Sequence, residues 1–151
     1  MPEVRVQWIG KRRFVGVDST NHSVVLSSAD PEQGGIGMKP AELLLVALGG
    51  CTAYDVVSIL EKQRQPLKGL EVRVSGVREP DPPWTYVKIH VHYRLQGRDL
   101  KPKKVAKAIE LSEEKYCSVS NTVKGKAQVV TSFEIVDEET GEVVFRSEEE
   151  G

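Results

Sequence analysis

The chain has two cysteines, Cys51 and Cys117, and they stand in unlike surroundings. Cys51 lies inside ELLLVALGGCTAYDVVSIL, which carries no charge between Glu42 and Asp55 and sets Gly49 and Gly50 directly before the sulfur. Each glycine in a helix costs about 1 kcal/mol against alanine. Two in a row there suggest that another backbone or a substrate must come close to the thiol. Asp55 follows one turn later on the same helical face, and its charge disfavours a thiolate. A reactive Cys51 therefore calls for an arginine or lysine from elsewhere in the fold. The plainer alternative is a small hydrophobe packed in a helix core. Cys117 sits in EKYCSVSNT, where a helix ends and small polar residues begin. Ser118, Ser120 and Asn121 could hydrogen-bond a thiolate, and they could equally cap the helix end. No CxxC spacing ties the two cysteines together.

Other reactive side chains make weaker patterns. His90 and His92 share one strand face, as two metal ligands might be spaced, but Lys88 and Arg94 flank them on that face and repel a cation. They read as the polar side of a sheet, and no metal is expected. The GGIG of Gly34–Gly37 precedes a helix but lacks the Lys-Ser/Thr pair of a phosphate loop. No Ser-His-Asp set can be assembled. A net charge of −1 gives no electrostatic case for nucleic acid or an anionic membrane.

The elements that must hold these residues follow from periodicity. Val4, Val6 and Trp8 alternate with Arg5 and Gln7, and RFVGVD and HSVVLSS continue as short strands around the turn DSTNH. A loop through Met38 leads to a helix from about Pro40 to Gln63, with Pro40 suited to its first turn. LKGLEVRVSGVRE and TYVKIHVHYRL are two longer strands; Val87, Ile89, Val91, Tyr93 and Leu95 form the apolar side of the second. Val105, Ala108, Ile109 and Ser112 fall at helical spacing in a second helix that ends near Cys117. AQVVTSFEIVD and EVVFRSE close the chain as strands, and SEEEG is expected to fray in solvent. Strand runs with two separate helices predict an α+β domain, and no composition break divides residues 1–151. The N-terminus lacks a secretory h-region and the uncharged stretch is too short to span a bilayer, so a cytoplasmic, membrane-free chain is expected.

KPAELLLVALGGCTAYDVVSILEKQ followed by LSEEKYCSVSNTVKG resembles the OsmC/Ohr family, the osmotically inducible protein C and organic hydroperoxide resistance proteins. The resemblance covers nearly the whole chain. It implies an intertwined homodimer with antiparallel sheets around two long central cysteine-bearing helices and active sites at the subunit interface. It also implies a thiol peroxidase without metal or cofactor, with Cys51 peroxidatic and Cys117 resolving. The substrate would be an organic hydroperoxide and the reductant a dithiol, of lipoyl type by resemblance, in oxidative-stress defence. The family's thiolate-holding arginine maps best onto Arg13, with Arg12 on the opposite strand face, and its glutamate onto Glu42. Glu42 comes one place late, since Ala41 follows Pro40, and Ser118 stands where a proline often follows the second cysteine. The competing reading is an OsmC-type dimer that binds a small ligand with slow, inherited cysteines.

Overall fold

The computed structural model describes residues 1–151, which separate into two compact units, Met1–Leu44 and Leu45–Gly151. The boundary falls within one long helix.

The first unit is a three-stranded antiparallel meander: β1 (Arg5–Trp8), β2 (Arg13–Val17) and β3 (Ser23–Ser27). Its register pairs Trp8 with Phe14 and Arg13 with Ser27. The turn between β2 and β3 is an Asx turn, in which Asp18 Oδ1 accepts the Thr20 and His22 amides at 2.9 Å each. After β3 the chain doubles back, and Met38 exchanges backbone hydrogen bonds with Val25 and Ser27. Gly37 is required here because a Cβ would stand 2.6 Å from the Val25 carbonyl oxygen. All of β1 remains exposed, including Trp8 at 66%.

The second unit holds most of α1 (Pro40–Lys62), which ends one residue before the expected Gln63. Its sheet has the order β4-β5-β6-β7, formed by Leu67–Arg78, Tyr86–Gly97, Gln128–Val136 and Val143–Arg146. Alternation along β5 buries Ile89, Val91, Tyr93 and Leu95, while Val87, the fifth residue of that face, stays exposed near the strand's start. Leu48, Val56 and Leu60 of α1 join this core, each fully burying a side chain for about 1.5–3 kcal/mol. From α2 (Pro102–Leu111) come Val105, Ala108 and Ile109, the stripe that their spacing predicts. β5 and β6 run parallel, and the helical segment between them supplies the crossover that parallel strands need.

The second helix ends near Cys117 as expected, but over Ser112–Tyr116 it widens into a π turn, and a further helix, α3 (Ser118–Val123), starts beyond the cysteine. One expectation is corrected. The C-terminal residues are not frayed. Ser147 exchanges hydrogen bonds with Phe133, Glu150 exchanges two backbone bonds with Thr131, and Glu149 pairs with Lys88 at 3.0 Å. The free edge of β6 holds them, because its unpaired backbone groups take the tail as a partial strand.

Candidate active site

One face of α1 turns Leu48, Thr52 and Val56 into the core at i, i+4 spacing, and puts Cys51 and Asp55 on its half-buried flank. Gly49 explains itself by packing. A Cβ there would come to 3.0 Å from Val74 Cγ2, so the bare backbone lets the helix lie close on β4. Gly50 faces open space in the isolated chain. The glycine pair therefore divides its work, and Gly49 answers to the sheet and not to a substrate.

Below Thr52 runs a buried polar chain. Ser112 Oγ lies 2.8 Å from Asp55 Oδ2 and 2.9 Å from Thr52 Oγ1, and Thr52 shares a hydrogen bond of 2.5 Å with the Tyr93 hydroxyl. Thr52, Tyr93 and Ser112 are all fully buried, so this chain satisfies groups that would otherwise carry a desolvation cost. It locks α1 to β5 and to the π turn. Because Cys117 N–H donates to the Ser112 carbonyl at 2.8 Å, the same turn fixes the second cysteine.

Cys117 is the N-cap of α3, its sulfur accepting the Ser120 amide at 3.3 Å. The Cys51 sulfur, the Cys117 sulfur and a carboxylate oxygen of Asp55 all lie within 4.8 Å of one another. The sulfurs thus have at most about 2.8 Å to close to reach a disulfide bond of about 2.05 Å. Their acidities are driven apart. Burial opposes ionisation of Cys51, but hydrogen bonds from the Cys117 thiol, the Val119 amide and the Ser118 hydroxyl outweigh it and the Asp55 charge, and hold Cys51 below the ordinary thiol value. Burial, then the hydrogen bond given to Cys51, push the Cys117 thiol up to about 12. Cys51 is thus the more acidic thiol of the pair and Cys117 the less acidic. Two thiols and a carboxylate are three donors of the four that a structural zinc site takes.

Sequence reasoning foresaw the opposing charge of Asp55 and a hydrogen-bonding role for Ser118. It expected a cation to offset Asp55, whereas neutral donors already turn the balance. Cys117, placed by the sequence where a helix ends and small polar residues begin, is fully buried and joins the core. Val119 and the π turn were missed, since a backbone donor has no signature in residue types. Glu113 was missed as well; in LSEEKYC it reads as one more surface charge, yet it is buried.

The other candidates lie in the first unit. The Arg13 guanidinium donates to the carbonyls of Gly10 at 3.2 Å and Ile9 at 3.4 Å, and its stem runs beneath Gly34. Glu42 stands in the first turn of α1, where the helix dipole favours an acid, and pairs with Lys39 at 3.5 Å. The structure brings Cys51 and Cys117 together and gives Arg13 and Glu42 these local partners. His90 Nε2 and His92 Nδ1 both engage Ser132 Oγ, at 2.7 and 2.8 Å, as members of the polar sheet face.

The α+β fold that holds these two thiols recurs among known proteins. Residues 31–132 match the model of the OsmC-like protein family, and the chain belongs to that family. It is 37% identical over 134 residues to Protein YhfA of Escherichia coli K12, covering 89% of this chain and 98% of that protein. A crystal structure of a hypothetical protein from Aquifex aeolicus superposes with a TM-score of 0.81 at 32% identity, covering 92% and 98% of the two chains. The organic hydroperoxide resistance protein OhrB of Bacillus subtilis shares the fold, with a TM-score of 0.61 at 17% identity over 88% of this chain and 97% of that one.

Proposed function

We propose that this protein is a thiol peroxidase for organic hydroperoxides, with Cys51 as the peroxidatic and Cys117 as the resolving cysteine. The observation that carries the reading is the pair of sulfurs within 4.8 Å whose acidities are driven in opposite directions. The Cys51 thiolate attacks one peroxide oxygen; the O–O bond breaks, the alkoxide takes a proton and leaves as an alcohol, and Cys51 becomes a sulfenic acid. The Cys117 sulfur then attacks the Cys51 sulfur, the sulfenic oxygen leaves as water, and a disulfide remains. An external dithiol, of lipoyl type by family resemblance, returns both thiols. Membership in the OsmC-like family and the fold shared with an organic hydroperoxide resistance protein support the assignment. The apolar flank of α1 around Cys51 favours an alkyl tail over hydrogen peroxide.

The same reading makes the working unit a cytoplasmic homodimer, with Arg13 and Glu42 supporting the Cys51 thiolate. The uncharged stretch of α1 is short, yet the whole helix, Pro40–Lys62, has the length and composition of a membrane span, and only 28% of its apolar window is buried in the single chain. Val46 at 52% and Tyr54 at 75% exposure give a second copy an apolar face to cover. Reduced protein mixed with cumene hydroperoxide tests the function. Prompt loss of both thiols is expected. Thiols unchanged at high peroxide would overturn the reading in favour of a ligand-binding dimer.

A further inference from the structure

Glu113 is the buried acid that the scheme above leaves without a task. It is 7% exposed, in the π turn just ahead of Cys117. Its Oε2 accepts the Ser120 hydroxyl at 2.6 Å and lies 3.7 Å from Lys124 Nζ, while its Oε1 is buried with no hydrogen-bond partner. A carboxylate oxygen left so is costly unless it serves a purpose. Ser120 ties this acid to the resolving thiol, since its hydroxyl bonds Glu113 and its amide bonds the Cys117 sulfur. Asn121 adds a second tie through the carbonyls of both residues.

The resolving step has a proton to remove. Cys117 is fully buried, and burial raises its thiol above the ordinary value, so free thiolate is scarce at neutral pH. Glu113 also lines a surface cavity of about 180 Å³ between α2 and β6, with Lys124, Thr131 and Ser132 on its wall. The acid is thus tied through Ser120 to a buried thiol and borders a cavity that solvent reaches.

We propose that Glu113 accepts the Cys117 proton as the disulfide forms and releases it to solvent through this cavity. The assignment rests on the cysteine pair closing to a disulfide, as proposed above. The Cys117 S–H bond breaks toward the carboxylate while its electron pair forms the S–S bond. The bond from Cys51 to its leaving group breaks with its electron pair going to that group, which in the peroxidase cycle is the sulfenic oxygen and takes a proton from solvent to leave as water. The charged and titratable neighbours are accounted for on each side. Lys124 is the cation on Glu113, and the Tyr93 phenol from β5 stays neutral because burial pushes its acidity far beyond the ordinary range. Cys51 and Asp55 approach from α1, and Glu110, Glu114, Glu148 and Glu150 border the cavity.

The experiment uses the reduced full chain and a substoichiometric amount of 4,4′-dithiodipyridine. Cys51 releases one thiopyridone as it forms a mixed disulfide; Cys117 then displaces the second. In Glu113→Gln the first release should keep its rate, and the second should slow about 100-fold, the scale of general-base catalysis. The second rate should be shallow in pH for the native chain and climb about tenfold per pH unit in Glu113→Gln, which must draw on free thiolate. Glu113→Asp should recover part of the rate and the shallow profile; it decides the matter if circular dichroism finds Glu113→Gln unfolded. A second release with native rate and pH profile in Glu113→Gln, or a Glu113→Asp chain as slow and as steep in pH as free thiolate alone requires, overturns the assignment. The probe needs no peroxide, so a native chain inert to cumene hydroperoxide but showing both releases would sink the peroxidase reading alone. A native chain that releases one thiopyridone would remove the resolving role of Cys117 and this proposal together.

Discussion

Replacing Cys117 by alanine should make Cys51 a weaker acid. Among the groups that favour the Cys51 thiolate, the Cys117 thiol contributes most, ahead of the Val119 amide and the Ser118 hydroxyl. A hydrogen bond to a charged group is worth about 1.5–3 kcal/mol. Cys51 is half-buried, and water takes over part of the lost donation, so the loss falls just below that range: about 1.4 kcal/mol, or a tenfold smaller thiolate population at a pH below the midpoint. The sign follows from linkage, since removing a partner of the charged form raises the pH at which that form appears. Iodoacetamide alkylation of Cys51, followed by mass spectrometry across a pH series, reads this directly. The profile of Cys117→Ala should move to higher pH, with the rate near pH 7 falling about tenfold. Cys117→Ser keeps a hydroxyl donor and should move less. Asp55→Asn should move the profile the other way, because the Asp55 charge opposes the thiolate. A Cys117→Ala profile that coincides with the native one, or shifts to lower pH, would refute the reasoning.

Three further outcomes are expected. Thr52→Val removes the acceptor of Ser112 and the partner of the Tyr93 hydroxyl, both fully buried, and should cost about 1–3 kcal/mol in urea unfolding with an unchanged m-value. Val46→Glu should lower the sedimenting mass from dimer to monomer at micromolar concentration; a dimer of undiminished affinity would place the interface elsewhere. If Arg13 supports Cys51, Arg13→Ala should shift the Cys51 alkylation profile to higher pH and Arg12→Ala should not. Equal profiles would remove Arg13 from the site.

The long helix was legible because it combines a proline suited to its first turn, an uncharged run from Leu43 to Tyr54 and a proline stop, and its bounds agree to one residue. β5 was legible because one buried face forces strict alternation. The break at Ser112 was hidden. The apolar spacing of α2 continues through Ser112, and only the buried hydrogen bonds of that residue to Thr52 and Asp55 reveal why the turn widens there. Ser118–Val123 contains no strong helix former, so α3 exists through tertiary contacts and the cap supplied by Cys117, not through local preference. The tail misled for a related reason: SEEEG has the composition of a solvated end, and what holds it is backbone pairing to β6, which any sequence can supply. Of the site, the cysteine segments were legible through their family pattern. Their unequal acidity was not, because it depends on a buried thiol, a backbone amide and a serine hydroxyl meeting at one sulfur.

The most direct test of the paired-thiol account is peptide mass spectrometry after one equivalent of cumene hydroperoxide. The account predicts a Cys51–Cys117 disulfide within a single chain as the main product. Cys51→Ser should leave the peroxide unconsumed, and Cys117→Ser should consume one equivalent and hold Cys51 as a sulfenic acid that excess oxidant carries to sulfinic acid. Oxidation found first at Cys117, or both thiols recovered free, would contradict it.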